Sequence, residues 1–381
     1  MRNYRSRLYP NNVIETRLGA TLEAPRWLYN YLLSKDLHTK EDMQFALTEL
    51  KESEPWLKGY HSKMLQMIPH QIDSARRALR KLRENGYRVG KLKPASRDEW
   101  NTFTYNQSGF RIERHGKTDL LWLSKIGYME IRLHRAIDGE IKQVTVTRKA
   151  GRWYAIIAVK RQLPLPRLID YKKAVGIDVG IKNFAYDSDG NVTPNPENLK
   201  KALKPLIRAQ RKVSRRVKGS NNYKKAKRWY QIIHERIANR RKDFLHKLST
   251  TYARRYDVIF LEKLKVLNMV KNHNLAQSIM DASWSIFKGM IGYKAKLMIE
   301  VEPSNTTIDC SRCGNKVPKS LAVRIHRCDV CGLVLDRDYN ASLNILQKGL
   351  QMLPMEHREV TPVEIQTGSR KQEEALSARV G

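Results

Sequence analysis

The chain reads as a multidomain protein, an α+β first half followed by an α/β second half that carries a small inserted metal loop. Three observations predict this. Hydrophobic periodicity changes from helical to alternating near residue 101. A proline-bearing polar stretch, "QLPLPRLIDYKK" (162–173), reads as a linker before a second pattern of short apolar strands and long helices. All four cysteines then fall within 22 positions as C-x2-C-x14-C-x2-C.

The first residues are strand-like, and Asn12 with Glu15 reads as a helix-capping pair. From Ala24 to Gly86 the pattern is helical. Ile72, Ala75, Leu79 and Leu82 share one face, with Arg76, Arg77 and Arg80 elsewhere. Pro69 suits a first turn, and Asn85-Gly86 suits a left-handed stop. The arginine face is either a solvated helix surface or a phosphate contact. Then "FRIER", "LLWL" and "YMEIRL" precede "EIKQVTVTRKAGRWYAIIAVKRQ", which alternates about a hairpin turn at Lys149 to Arg152. This predicts a small β-barrel or meander.

Formal net charge is +34, from 72 basic and 38 acidic residues. A chain this basic repels itself unless a polyanion neutralises it, and nucleic acid is the usual partner. Membrane surface is the competing reading, but no apolar run is long enough to span a bilayer, and "MRNYRSRLYP" lacks the apolar middle of a signal peptide. Clustered cysteines argue against an extracellular disulfide scaffold. The expectation is a cytoplasmic protein with no membrane partner. The charge is concentrated at 200–247, with eighteen Lys or Arg and two acids. That stretch predicts two long helices broken near "KGSNN". Its candidate phosphate contacts are Arg208, Arg211, Lys212, Arg215, Arg216, Lys224, Lys225, Arg228, Arg240 and Arg241. Tyr223, Trp229 and Tyr230 either stack on bases or belong to a core.

Three acids stand out. In "KAVGIDVGIKNFAYDSDGNVT", Val175, Ile177 and Val179 alternate on one face, and Asp178 sits between them. Buried and unpaired, a carboxylate there is costly, so it needs a cation or a cleft unless it lies on an exposed edge. "YDVIFLEKLKV" (256–266) is a continuous apolar strand with Glu262 at its carboxyl end, where α/β sheets gather ligands; a salt bridge to Lys263 or Lys265 is the bland alternative. In "LDRDYNASLNIL" (335–346), Asp336 reads as the N-cap and Asp338 as the inward ligand, or the reverse. Carboxylates converging from three elements repel unless divalent cations lie between them, and Mg²⁺ suits oxygen ligands and phosphate substrates. Two ions would support hydrolytic phosphodiester chemistry.

The outer cysteine spacings, Cys310 with Cys313 and Cys328 with Cys331, match a closed four-cysteine zinc site, with the inner gap one residue short of the usual range. Gly314 and Gly332 follow each knuckle. Two disulfides are the weaker alternative, and no H-x-E precedes the cysteines as a deaminase would need. Arg312, Lys316, Lys319, Arg324, His326 and Arg327 surround this loop and are candidates to meet substrate.

"YRSRLYP", "VGIDVG", "SNNYKKAKRWYQIIHERIANRRKDFLHKLS", "FLEKL", "DASWSIF", the cysteine loop and "LDRDYNASLNI", in this order, resemble the TnpB family of insertion sequences, relatives of the type V CRISPR effectors. The resemblance covers most of residues 1–350; "NAS" stands where "NAA" is commoner. It implies an N-terminal β-barrel wedge (1–20 and 96–165) interrupted by a helical recognition domain (21–95). A linker (166–173) follows, then a RuvC-type RNase H-like domain (174–303 and 335–350) split by a zinc ribbon (304–334), then a disordered tail (351–381). It implies RNA-guided cleavage of double-stranded DNA beside a short flanking motif, with a guide RNA from the transposon end, two Mg²⁺ ions and structural Zn²⁺. The catalytic acids would be Asp178, Glu262 and Asp338. A non-cleaving RNA-guided repressor and a DNA strand transferase are the alternatives.

Overall fold

The structure is a computed structural model that describes residues 1–35, 37–116, 118–160, 171–320 and 323–353. The chain divides into two compact units, Met1–Leu165 and Pro166–Gly381. Most of the expected linker, and the tail from residue 354, lie outside the described residues.

In the first unit, β1 (Arg2–Tyr9) leads directly into helices α1 (Asn12–Ser34), α2 (Lys40–Ser53) and α3 (Ser62–Glu84). Strands β2 (Thr102–Asn106), β3 (Phe110–His115), β4 (Thr118–Leu123), β5 (Gly127–Arg132), β6 (Glu140–Lys149) and β7 (Arg152–Lys160) follow. The ladder runs β2-β6-β7-β1-β5-β4-β3, so the helices interrupt a sheet in which β1 is central. The expected barrel is an open half-barrel. Its inner face needs no closure, because Leu18, Leu28, Leu47, Leu65 and Ile72 of the helices share one core with Leu121, Val144, Trp153 and Ile157 of the strands. The β6–β7 turn has Ala150 and Gly151 both at positive φ (48° and 73°), the twist-matched two-residue hairpin.

Three local expectations are corrected by the structure: the cap of the first helix, the place of Pro69 and the burial of Leu82. The cap of α1 is Asn11, one residue before the expected Asn12: its side chain accepts from the Ile14 N–H at 2.9 Å, and the helix begins at Asn12. Residue 20, where the first wedge segment is expected to end, lies within α1. Pro69 lies inside α3, not in its first turn, because the chain enters that helix seven residues earlier, at Ser62. Leu82 is 40% exposed: the last turns of α3 run past the core that buries Ile68 and Ile72. The stop at Asn85-Gly86 does close the helix, with Gly86 at φ +80° and the Tyr87 N–H reaching the Leu82 carbonyl at 3.0 Å.

The second unit is built on a mixed five-stranded sheet of order β10-β9-β8-β11-β12. The strands are β8 (Ala174–Val179), β9 (Asn183–Asp187), β10 (Val192–Pro194), β11 (Val258–Glu262) and β12 (Leu297–Val301). β8, β9 and β10 form an antiparallel meander, and β11 pairs in parallel with both β8 and β12. The basic stretch forms α4 (Asn198–Ser214) and α5 (Asn221–Arg255), with Ser220 capping the latter through the Tyr223 N–H at 3.1 Å. Short α6 (Val266–Met269), then α7 (His273–Ala282) and α8 (Trp284–Lys294), precede β12. The hairpin β13 (Ile325–Arg327) with β14 (Val334–Asp336) leads into α9 (Arg337–Gln351).

Strand alternation sorts the core into two layers. Val175, Ile177, Ile259 and Leu261 face α5, α7 and α8 through Leu245, Tyr252, Ile279, Phe287 and Ile291. Ala174, Val258 and Phe260 face the other way, toward Ile345 and Leu346 of α9. Asp178 and Glu262 fall by the same alternation on the α9 side.

Candidate active site

The register Leu261↔Ile177 puts Glu262 beside Asp178, at the carboxyl ends of adjacent parallel strands. Asp338 is the second residue of α9, the helix that covers that face. Asp336 is the N-cap: its side chain accepts from the Asp338 N–H at 2.8 Å and from the Tyr339 N–H at 3.4 Å. That leaves the Asp338 carboxylate free to turn away from its own helix end.

All three side chains are half-buried. Burial pushes the Asp178 carboxyl well above the ordinary carboxylate range, and the charges of Glu262 and Asp338 push it further, against the opposing pull of Arg337. Burial likewise raises Glu262, offset in part by a hydrogen bond from Thr306 and by Lys348. Asp338 meets Arg337 at 3.0 Å and Arg324 at 3.6 Å. Electrostatics thus couples the acids, but their oxygens are not drawn as close as the cysteines. Among the described residues, the group of potential metal ligands within 4.8 Å of one another is Cys310, Cys313, Cys328 and Cys331. The donor set of the acids nevertheless fits a hard divalent cation: oxygen ligands only, one carboxyl raised by burial and by its two acidic neighbours, and two arginines already supplying part of the missing positive charge.

The cysteines are free thiols, with Cys310 and Cys331 sulfurs 3.6 Å apart and Cys313 and Cys328 likewise, which removes the disulfide alternative. Both knuckles have one geometry. Gly314 at φ +74° donates to the Cys310 carbonyl at 2.8 Å, and Gly332 at φ +69° donates to the Cys328 carbonyl at 2.9 Å. Backbone N–H groups of Cys331 and Val330 hold the Cys328 thiol down to about 6, whereas burial raises the Cys310 thiol.

Polar residues of α9 hook this loop to the helix. Asn340 and Asn344 both donate to the Asp309 carbonyl (2.8 and 2.7 Å), and Asn340 accepts from the Ser311 N–H at 3.0 Å. Asn344 also donates to the Thr306 carbonyl at 2.7 Å, and Gln347 to the Ser311 carbonyl at 2.8 Å. Sequence reasoning missed them. Two asparagines four apart, flanked by apolar residues in the sequence of one short helix, were the available signal, since buried amides need partners.

The basic candidates divide. Arg208, Arg211, Lys212, Arg215, Arg216, Lys224, Lys225, Arg228 and Arg240 are exposed on α4, α5 and the turn between them, and Arg80 is exposed on α3. Arg77 pairs with Asp73 at 2.8 Å. Arg76 instead donates to the Leu37 and His38 carbonyls (2.6 and 3.2 Å), fastening α3 to the segment after α1. Arg241 is drawn into a pair with Asp281 at 2.6 Å, and Asp281 also accepts from the Leu199 N–H at the start of α4. Around the cysteines, Arg312, Lys316 and Arg327 are exposed, but His326 is buried against Lys319 at 2.7 Å and Arg324 turns to Asp338. Trp229 is 47% exposed, whereas Tyr230 packs on the Leu206–Ile233 core.

A family model described as "Probable transposase" matches residues 144–273, and one described as "Cas12f1-like, TNB domain" matches 284–345. A third, "Helix-turn-helix domain", matches residues 1–39, which here form β1 and one continuous helix, α1, before the segment that leads to α2. A Streptomyces pristinaespiralis protein named "Putative RNA-guided DNA endonuclease" is 34% identical, over 92% of this chain and 89% of its own. This chain belongs to the TnpB family. An Escherichia coli K12 TnpB relative, "Putative RNA-guided DNA endonuclease InsQ", is 29% identical over 92% of both chains. Among solved structures, a Cas12f1 complex with guide RNA and target DNA overlaps at TM-score 0.49 and 12% identity, covering 90% of this chain and 98% of that one. In the described residues of this TnpB chain no helix is long and apolar enough to cross a membrane.

Proposed function

We propose that this chain is an RNA-guided DNA endonuclease that hydrolyses phosphodiester bonds in target DNA beside a short flanking motif. One observation carries the reading. Asp178 and Glu262 end adjacent parallel strands on the face that α9 covers, and Asp338 opens α9, so three acids distant in sequence share one electrostatic neighbourhood. The 3-2-1-4-5 order of the second unit, counted from β8, supports an RNase H-like domain of the RuvC type, with 304–334 as a zinc ribbon within it. In the first unit, β1 and β2–β7 would be the wedge and α1–α3 the recognition domain. The names of the relatives agree with this activity.

Asp178, Glu262 and Asp338 would hold Mg²⁺, which when bound activates water and offsets charge on the scissile phosphate. Burial first, and then the charges of Glu262 and Asp338, raise the Asp178 carboxyl, so a cation held there would offset the cost of its ionised form. Arg324 and Arg337 balance charge at Asp338. Exposed lysines and arginines of α4 and α5 would lie along phosphates of a guide RNA from the transposon end, a polyanion large enough to offset +34. The four cysteines would hold Zn²⁺ as a closed structural site.

The test is Asp178→Ala in the ribonucleoprotein, assayed on a plasmid library with Mg²⁺. RNA stays bound and cutting is lost. Parental cutting by the mutant would overturn the assignment, and joined DNA products from the parent would favour strand transfer instead.

A further inference from the structure

The segment between β12 and Cys310 carries Thr306, which is 2% exposed. Its hydroxyl donates to Glu262 Oε1. The Pro303 carbonyl lies 3.1 Å from the same hydroxyl, but a hydroxyl has one proton and the carboxylate contact is shorter and charge-assisted. The backbone around it is held from two sides. From α9, Asn344 donates to the Thr306 carbonyl at 2.7 Å, and Lys348 donates to the Ser304 carbonyl. From the cysteine loop, Lys319 donates to the Thr307 carbonyl at 2.7 Å. The hydroxyl is therefore not a mobile surface group that happens to touch an acid. It is delivered to Glu262 by a segment fastened to the same helix that bears Asp338.

We infer that Thr306 is a positioning residue for Glu262, fixing which carboxylate oxygen faces the metal-binding cleft. The inference rests on the reading of Glu262 as a ligand. A ligating carboxylate has several lone-pair directions, and a hydrogen bond to one oxygen selects the rotamer that leaves the other for the cation. Burial alone would favour a neutral, poorly directed carboxyl, and Thr306 opposes that.

Thr306→Val keeps the shape of the side chain and removes the hydroxyl, while Thr306→Ser keeps the hydroxyl. Two readouts are used on full-length protein: cutting by the ribonucleoprotein, and Mn²⁺ binding to the chain by electron paramagnetic resonance, with Asp178→Ala as the blank. Loss of a group that orients a metal ligand costs ~10–100-fold in affinity or activity. Thr306→Val is expected to weaken Mn²⁺ binding and slow cutting within that range, with target affinity unchanged, and Thr306→Ser to restore both. Should the valine variant not fold, Thr306→Ala removes the same hydroxyl without placing a methyl against the carboxylate and carries the same expectations. Valine and alanine variants that match the parent in both readouts would overturn the inference, as would a serine variant as impaired as valine. If the parent neither cuts nor binds Mn²⁺ above the blank, the metal-ligand reading of Glu262 fails, and the inference with it.

Discussion

Gly176 separates the packing of α9 from the chemistry it carries. A Cβ on Gly176 would lie 2.3 Å from the Ser342 carbonyl oxygen and 2.5 Å from the Leu346 nitrogen, about 1 Å short of ordinary contact. Both obstacles are backbone, so no side chain can swing aside. The backbone of Gly176 is not in the left-handed region, so alanine suits it and would gain about 0.4–1 kcal/mol by restricting the unfolded chain. Overpacking of this kind costs about 1–3 kcal/mol, and the backbone clash places Gly176→Ala toward the upper end. The cost wins, and the melting temperature should fall by ~3–8 °C. The displacement should also reach the acids, because Asp178 is two residues along the same strand and Asp338 is four residues before Ser342. A shift of about 1 Å in a reacting group can slow a reaction ~100-fold, so cutting should fall far more than the loss of folded protein accounts for. Scanning calorimetry and a cleavage time course below the transition read the two effects separately. A melting temperature within about 1 °C of the parent together with parental cutting would refute the claim that α9 is seated by this contact.

Two further outcomes follow from the cluster chemistry. Cys313→Ser should lose bound zinc and lower the melting temperature, since structural zinc contributes folding energy directly; unchanged metal content and melting would refute it. Asp178 and Glu262 both sit above the ordinary carboxylate value of ~4, through burial first in each case. Without metal the folded chain therefore holds more protons than the unfolded one between that value and the raised ones, and stability falls as pH climbs through the window. Mg²⁺ must displace those protons, so its stabilising increment should be larger near about pH 8 than near about pH 5, and equal increments in calorimetry would sink the proposal.

That three acids would share one neighbourhood and four cysteines one cluster was legible because each announces itself within a few residues: a carboxylate inside a period-2 apolar run, another at a strand end, a fixed cysteine spacing. The open sheet was not, because alternation tells which face is buried and not whether the edges meet. Charge was read least well. Arg76 and Arg241 looked like their neighbours, yet one satisfies carbonyls 38–39 residues away and the other an acid 40 residues away. A local window sees a guanidinium but not the acceptor that claims it. Thr306 was invisible for the same reason, its partner Glu262 being 44 residues earlier.

Why the cysteine clip sits directly against Asp336 and Asp338 follows from what a short helix needs. α9 has fifteen residues and must present its first turn, not its middle, to two strand ends. First turns fray, because their N–H groups lack partners within the helix. Asp336 satisfies two of them. β14 ends at Asp336 and pairs with β13, so the hairpin stiffens the chain up to the cap itself. Further along, the amide hooks at Asn340, Asn344 and Gln347 press the first knuckle onto the helix, and Gly176 lets the helix meet the sheet backbone. A four-cysteine clip placed elsewhere could stabilise the fold equally well. Only here does it hold both the turn that bears Asp338 and the strap that carries Thr306 to Glu262.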